Sequence, residues 1–317
     1  MPETIISLLF WLFMFLRMGS VATRLGRSPA SLKEKFDSLP PVVPSLSEAL
    51  QPFSAVIVTG GSSGIGKSFI QLGRTLKPDL VFCNLSRREP EKNISPNVRK
   101  KLNHFSCDLS RSPEIERAAA AVGEFLLREV PVGRILLINS SGFGAFGAVS
   151  ELELTRELEM IDVNVRALVH LTGRLLPLLR ARGGTILNIA STVAFQPTPF
   201  AATYGATKAF VLHWTLALNE EMRGSNVRAI AVCPGTTATD FFRQAGVRTD
   251  AFTLSGALTP EAVVRSALRA MARGRSQIVP GWGNKAYTFA GARLAKPLAA
   301  RIAGRFFSSR RPKPIGQ

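Results

Sequence analysis

The chain has 317 residues, 46% of them hydrophobic and 20% charged, which excludes a disordered, collagen-like or disulfide-scaffold protein. Lys and Arg number 40 against 22 Asp and Glu, a formal net charge of +18; a balance that basic needs an anionic partner, whether nucleic acid, phospholipid or a phosphorylated cofactor. Cys83, Cys107 and Cys233 are too few and too scattered for a framework or a zinc site; they read as small core residues, and no metal site is expected.

In chain order, the first feature is Thr4 to Leu16, TIISLLFWLFMFL, uncharged between Glu3 and Arg17. As a helix it is roughly 20 Å long, short of the ~30 Å hydrocarbon core. Arg17, Arg24, Arg27, Lys33 and Lys35 follow it, and by the positive-inside rule the rest of the protein then lies on the cytoplasmic face of the membrane. Residues 1–20 read as a membrane anchor, either a thin span or a helix in the interface. A cleaved signal peptide, or a helix packed in a dimer seam or across the domain of a soluble cytoplasmic protein, is the alternative. Residues 21–52 carry Pro29, Pro40, Pro41, Pro44 and Pro52 and are expected to form a semi-extended linker.

From 53 to 285 strands and helices alternate. Strand-like runs are Ser54–Thr59, Leu80–Leu85, His104–Cys107, Arg134–Asn139, Thr185–Ala190, Val227–Cys233 and Gln277–Val279. Helical patterns cover Gly64–Leu76, Pro113–Glu129, Leu152–Arg180, Tyr204–Met222 and Pro260–Arg273. Apolar strands between amphipathic helices predict an α/β domain of Rossmann type, a doubly wound parallel sheet of about seven strands. The tail, 286–317, is basic and without acids. Ala290, Leu294, Leu298, Ile302 and Phe306 recur every four residues, which predicts one face of an amphipathic helix. That helix reads either as a membrane-surface element or as a docked C-terminal helix with a solvated basic face. No recognised nucleic-acid motif accompanies it, so no nucleic-acid partner is expected.

Thr59-Gly60-Gly61-Ser62-Ser63-Gly64-Ile65-Gly66 lies between the first strand and the first helix of the alternation. Glycines there let the chain turn sharply and bring backbone N–H groups and a helix N-terminus to a pyrophosphate. The second strand ends in Leu85-Ser86-Arg87-Arg88. An acid at this point holds the ribose 2′-hydroxyl of NAD; arginine pairs instead with a 2′-phosphate, so NADP(H) is preferred over NAD(H). Solvated loop charges are the bland reading of Arg87 and Arg88. Asp108, after the third strand, is placed for an adenine ring, and Asn139-Ser140-Ser141-Gly142 for close passage beneath the cofactor.

Ser191 follows the strand TILNIA, and Tyr204 and Lys208 stand at i and i+4 early in the next helix, on one face. A nearby ammonium lowers a tyrosine pKa from its ordinary value near 10, making Tyr204 a usable acid/base. Together with the glycine turn, these residues resemble the short-chain dehydrogenase/reductase family over roughly residues 53 to 280. The matching motifs are TGGSSGIG at 59–66, Asp108, NSSG at 139–142 in place of the family's Asn-Asn-Ala-Gly, Asn164, Ser191, YGATK at 204–208, and Pro234-Gly235 with Thr239. The resemblance implies that Tyr204 is the general acid/base. It gives Lys208 the nicotinamide ribose, Ser191 the substrate oxygen and Asn164 a relay water. Asn139 would support the cofactor's strand and Thr239 touch the carboxamide; Leu109, Ser140, Pro234, Gly235 and Thr237 complete the cofactor set. Phe241 and Phe242, just past Thr239, are expected to line an apolar substrate pocket.

These features predict an NADP(H)-dependent reductase interconverting a ketone and a secondary alcohol. Its apolar ends and pocket point to a lipophilic substrate taken at a membrane surface, and the layout of anchor, linker and TGGSSGIGK is similar to that of membrane-associated ketoreductases. The family also implies a homo-oligomer, dimer or tetramer. The rivals are a soluble dehydrogenase of a polar alcohol and a non-enzymatic nucleotide-binding scaffold.

Overall fold

The computed structural model describes residues 45–90, 102–245 and 257–308. The apolar run at 4–16, linker residues 21–44 and the last residues of the tail lie outside these.

Seven strands form one sheet: β1 (Phe53–Thr59), β2 (Val81–Ser86), β3 (Leu102–Ser106), β4 (Arg134–Asn139), β5 (Gly184–Ile189), β6 (Val227–Val232) and β7 (Gln277–Ile278). Their order is β3-β2-β1-β4-β5-β6-β7, and every pairing is parallel. The order reverses between β1 and β4, so the crevice beyond their carboxyl ends is the natural ligand site.

Alternate strand residues feed two cores. Ile57, Leu85, Leu137 and Ile186 pack beneath α3 (Ser112–Glu129) and α5 (Ala167–Arg182). Val58, Leu136, Ile138 and Ile230 pack beneath α1 (Leu46–Leu50), α2 (Gly64–Leu76) and α8 (Pro260–Ala272). Strands buried on both faces must be apolar throughout, which is why VIVT, RILLIN and VRAIAV carry so few polar residues.

Three expectations change. The linker ends earlier than residue 52: Ser45 and Glu48 form a capping box that starts α1, and Ala49 and Leu50 are buried. The signature Ser-x-x-Glu was readable among the prolines. The long helical stretch from Leu152 is α4 (Leu154–Ile161), a widened π-turn (Asp162–Arg166) and α5. The tail is not one helix. After α6 (Ala202–Glu221) and the short α7 (Phe241–Gln244), α8 is followed by α9 (Trp282–Arg293) and α10 (Lys296–Ser308). Leu294 is extended at the break, and Pro297 fits the first turn of α10, where its missing N–H costs nothing. Among the described residues no helix is long and apolar enough to cross a membrane.

Candidate active site

A cleft of about 650 Å³ runs along the carboxyl ends of the strands. Its floor at the sheet centre is the glycine turn. Gly60 has φ +70, and Gly66 packs so tightly that a Cβ would sit 2.5 Å from the Gly60 carbonyl oxygen. Two polar side chains hold the turn. Thr59 Oγ1 accepts from the Ser140 and Ser141 N–H groups at 3.0 Å each. Asn84 Oδ1 accepts from Gly61 N at 2.9 Å, while its Nδ2 reaches Ser86 Oγ at 2.9 Å. Ser62, Ser63, Gly64 and Ile65 line the wall where α2 begins. Ser63 makes no side-chain cap there, so its side chain leaves the first N–H groups of α2, with their partial positive charge, for another acceptor.

One end of the cleft is formed by Ser86, Arg87, Arg88, Asp108 and Leu109. The Arg87 side chain is 68% exposed and lies 3.8 Å from Glu159 Oε1. Burial works to raise the Asp108 pKa, but hydrogen bonds from Ser110 and the charges of Arg87 and Arg111 outweigh it and hold the carboxyl below its ordinary value.

The other end is nearly dry. Tyr204 lies in the first turn of α6, Lys208 one turn later, and Ser191 just past β5; all three are buried. Ser191 Oγ accepts from Val193 N at 3.3 Å, which starts the 3₁₀ turn Thr192–Phe195. Lys208 Nζ donates to the Ile189 carbonyl at 2.9 Å and lies 5.9 Å from the centre of the Tyr204 ring. The expected lowering of the tyrosine pKa is not seen. Burial pushes the Tyr204 phenol up to about 12, with only the Ser191 hydroxyl opposing it. Burial also brings the Lys208 ammonium down to about 8. Desolvation opposes charge on both groups; at Lys208 only the Cys233 sulfur works against it.

Of the glycine turn, Thr59, Gly61 and Gly66 are not on the cleft wall, nor are Asn139 and Asn164; the other cofactor, catalytic and substrate candidates line it. Asn139 is inside the sheet, its Nδ2 donating to Thr172 Oγ1 and to Asn188 Oδ1 at 3.1 and 2.8 Å. Asn164, on the π-turn, clamps the loop after β4: it accepts from Phe143 N at 3.1 Å and donates to Phe143 O at 2.9 Å and Thr207 Oγ1 at 3.1 Å. A Cβ at Gly142 would come within 2.9 Å of Asn164 Oδ1 and 3.2 Å of Lys208 Nζ, so the loop passes between them only as glycine.

Phe241 and Phe242 do line the cleft. The Phe241 ring is 5.3 Å from Tyr204 and 5.5 Å from Phe242. Phe146, not anticipated, completes the wall 6.2 Å from Tyr204; the run Phe-Gly-Ala-Phe directly after NSSG was its signal. Tyr287, Phe306 and Phe307 from α9 and α10 also reach the mouth. Gln196 Nε2 donates to the Tyr287 hydroxyl, and Lys296 Nζ donates to Phe195 O at 3.0 Å. Residues 286–308 thus belong to the catalytic body, a placement that only long-range contacts reveal.

The geometry is that of a dinucleotide oxidoreductase site. The family model for short chain dehydrogenases matches residues 54–249. Ketoacyl reductase HetN of Nostoc is 31% identical over 236 residues, 71% of this chain and 77% of that protein. A putative ketoacyl reductase of Streptomyces coelicolor is 32% identical over 199 residues, 60% of this chain and 73% of that one. Among solved structures, a short-chain dehydrogenase from Sphingobium yanoikuyae in complex with NADPH is similar, with 28% identity and a TM-score of 0.64 over 76% of this chain and 94% of that one. The chain belongs to the short-chain dehydrogenase/reductase family and is an NAD(P)-dependent oxidoreductase.

Proposed function

We propose that this oxidoreductase uses NADP(H) to interconvert a lipophilic ketone and its secondary alcohol at a membrane surface. The observation that carries the reading is the placing of a buried Tyr204 phenol and Ser191 in one cleft with an aromatic wall of Phe146, Phe241 and Phe242.

The residues present suit a phosphorylated dinucleotide. The uncapped start of α2 and the glycine turn would hold the pyrophosphate, and the guanidinium groups of Arg87 and Arg88 would hold a 2′-phosphate. Asp108 would face the adenine. Lys208 would bond the nicotinamide ribose, and Thr239 would contact the carboxamide. When bound, the nicotinamide supplies or accepts the hydride at the substrate carbon. Ser191 orients the substrate oxygen. Tyr204 gives that oxygen its proton in reduction and takes it back in oxidation. A phenol held near 12 is a proton donor at neutral pH, which suits the reductive direction. Asn164, fixed to Phe143 and Thr207, holds the loop after β4 in place beside Lys208. The aromatic wall excludes water and accepts an apolar chain, and the uncharged run at 4–16 would keep the enzyme near a lipid supply.

NADPH and NADH oxidation measured against a series of long-chain and short polar ketones, with and without detergent, tests the reading. Preference for NADPH and for long-chain ketones supports it; equal use of NADH, or activity confined to polar substrates, overturns the corresponding part.

A further inference from the structure

We propose that the outer face of α10 is a docking surface for an anionic phospholipid bilayer, which seats the mouth of the cleft against the lipid; the delivery of substrate through that mouth rests on the lipophilic reading above, whereas the docking does not. Helix α10 packs on the domain through its small residues. Ala299 and Ala303 are 4% and 9% exposed, and Gly304 lies against Pro199. Its large apolar residues lie beside these on the solvent side: Leu298, Ile302 and Phe306 are 47%, 51% and 50% exposed. An ordinary docked helix turns its large residues to the core and its small or polar ones to water; this one is inverted.

The charge beside the stripe selects the occupant. At 100° per residue, Arg301 and Arg305 fall on the flank of the stripe away from the docked alanines, where their stems can lie along lipid and their heads reach phosphates. Arg293 stacks over the exposed Phe289 ring, 3.5 Å from its centre. No carboxylate follows Glu261 in the chain. A second copy would oppose arginine to arginine, whereas an anionic bilayer satisfies the apolar stripe and the charges together. The other exposed apolar stripe, Leu154 and Leu158 on α4, lies among Glu153 and Glu159 and lacks this complementarity. The α10 stripe ends at Phe306, which with Phe307 lines the cleft mouth.

Cys83, Cys107 and Cys233 are buried, so in the full chain an environment-sensitive dye attaches selectively to Leu298→Cys, Ile302→Cys or, as control, Leu127→Cys on α3, 63% exposed. With phosphatidylcholine–phosphatidylglycerol vesicles, dyes at 298 and 302 are expected to brighten and shift to the blue and the dye at 127 to stay water-like; pure phosphatidylcholine is expected to give a weaker response. Dyes at 298 and 302 that stay water-like overturn the proposal, whether the protein is on the vesicles through another segment or not bound at all. Brightening with protein concentration and no lipid assigns the face to a second copy and also overturns it. In the double variant Leu298→Asp, Ile302→Asp, turnover of a vesicle-borne ketone is expected to fall roughly tenfold or more, from the loss of two buried aliphatic side chains, with turnover of a water-soluble ketone unchanged. An equal fall for both ketones counts against docking. A dye response without reduction of any long-chain ketone leaves the surface standing and removes the substrate reading.

Discussion

The two ends of the cleft do their work in different media. At the Tyr204 end the ionisable groups are buried, and burial dominates in moving Tyr204 to about 12 and Lys208 to about 8. At the Arg87 end the guanidinium is 68% exposed and shares its charge with Glu159. Low dielectric magnifies every interaction at the first end, and water screens those at the second. The same number of contacts is therefore expected to matter far more for chemistry than for coenzyme choice.

The largest effect is expected from Tyr204→Phe, which removes the proton donor and leaves the packing: turnover should fall by about 10²–10⁴-fold, with NADPH binding, read by fluorescence titration, retained. Turnover equal to wild type would remove the enzymatic role of the phenol. Next comes Asn164→Ala. It strips partners from Phe143 N, Phe143 O and Thr207, and each buried group left unpaired costs about 1–3 kcal/mol. A lowered urea midpoint together with a lowered kcat is expected; an unchanged midpoint would show that the clamp is not structural.

Lys208 gives a pH test. Its pKa in the fold, about 8, lies below its ordinary value of 10.5, so the unfolded chain binds the extra proton between them. The share of stability owed to Lys208 should rise with pH from about 8 to 10.5, while burial of the Cys83, Cys107 and Cys233 thiols, pushed up from 9 to about 12, 11 and 12, works the other way above pH 9; the difference between wild type and Lys208→Met in urea titrations isolates the lysine. Tyr204 runs the other way: its raised pKa keeps its stabilising share intact below pH 10 and loses it as pH climbs toward 12. Parallel profiles for wild type and Lys208→Met from pH 8 to 10 would mean that the lysine is better solvated than its surroundings suggest. The smallest effect is expected at the wet end. Arg87→Ser should weaken NADPH about fivefold to tenfold and NADH hardly at all; equal losses for both would deny Arg87 a 2′-phosphate partner.

Much of this was legible in the chain. The strands could be read because a sheet covered on both faces needs unbroken apolar runs, and the candidate trio Ser191, Tyr204 and Lys208 because a strand-end serine and a tyrosine and lysine one helical turn apart follow the glycine turn as in the short-chain dehydrogenase/reductase family. Asn84 was not legible: it is a polar residue in the middle of a strand, and its job, holding Gly61, depends on a strand pairing. Phe306 and Phe307 were read only as tail residues, since nothing local says that a C-terminal helix returns to the cleft.

Local spacing and hydropathy by themselves determined the Rossmann-type alternation, the glycine turn and the identity of Ser191, Tyr204 and Lys208, because each depends on neighbours within a turn or a strand. Tertiary structure alone decided the protonation balance of that trio, the clamp made by Asn164 and the outward face of α10. Desolvation and exposure are properties of what packs against a residue, and no window along the chain contains them.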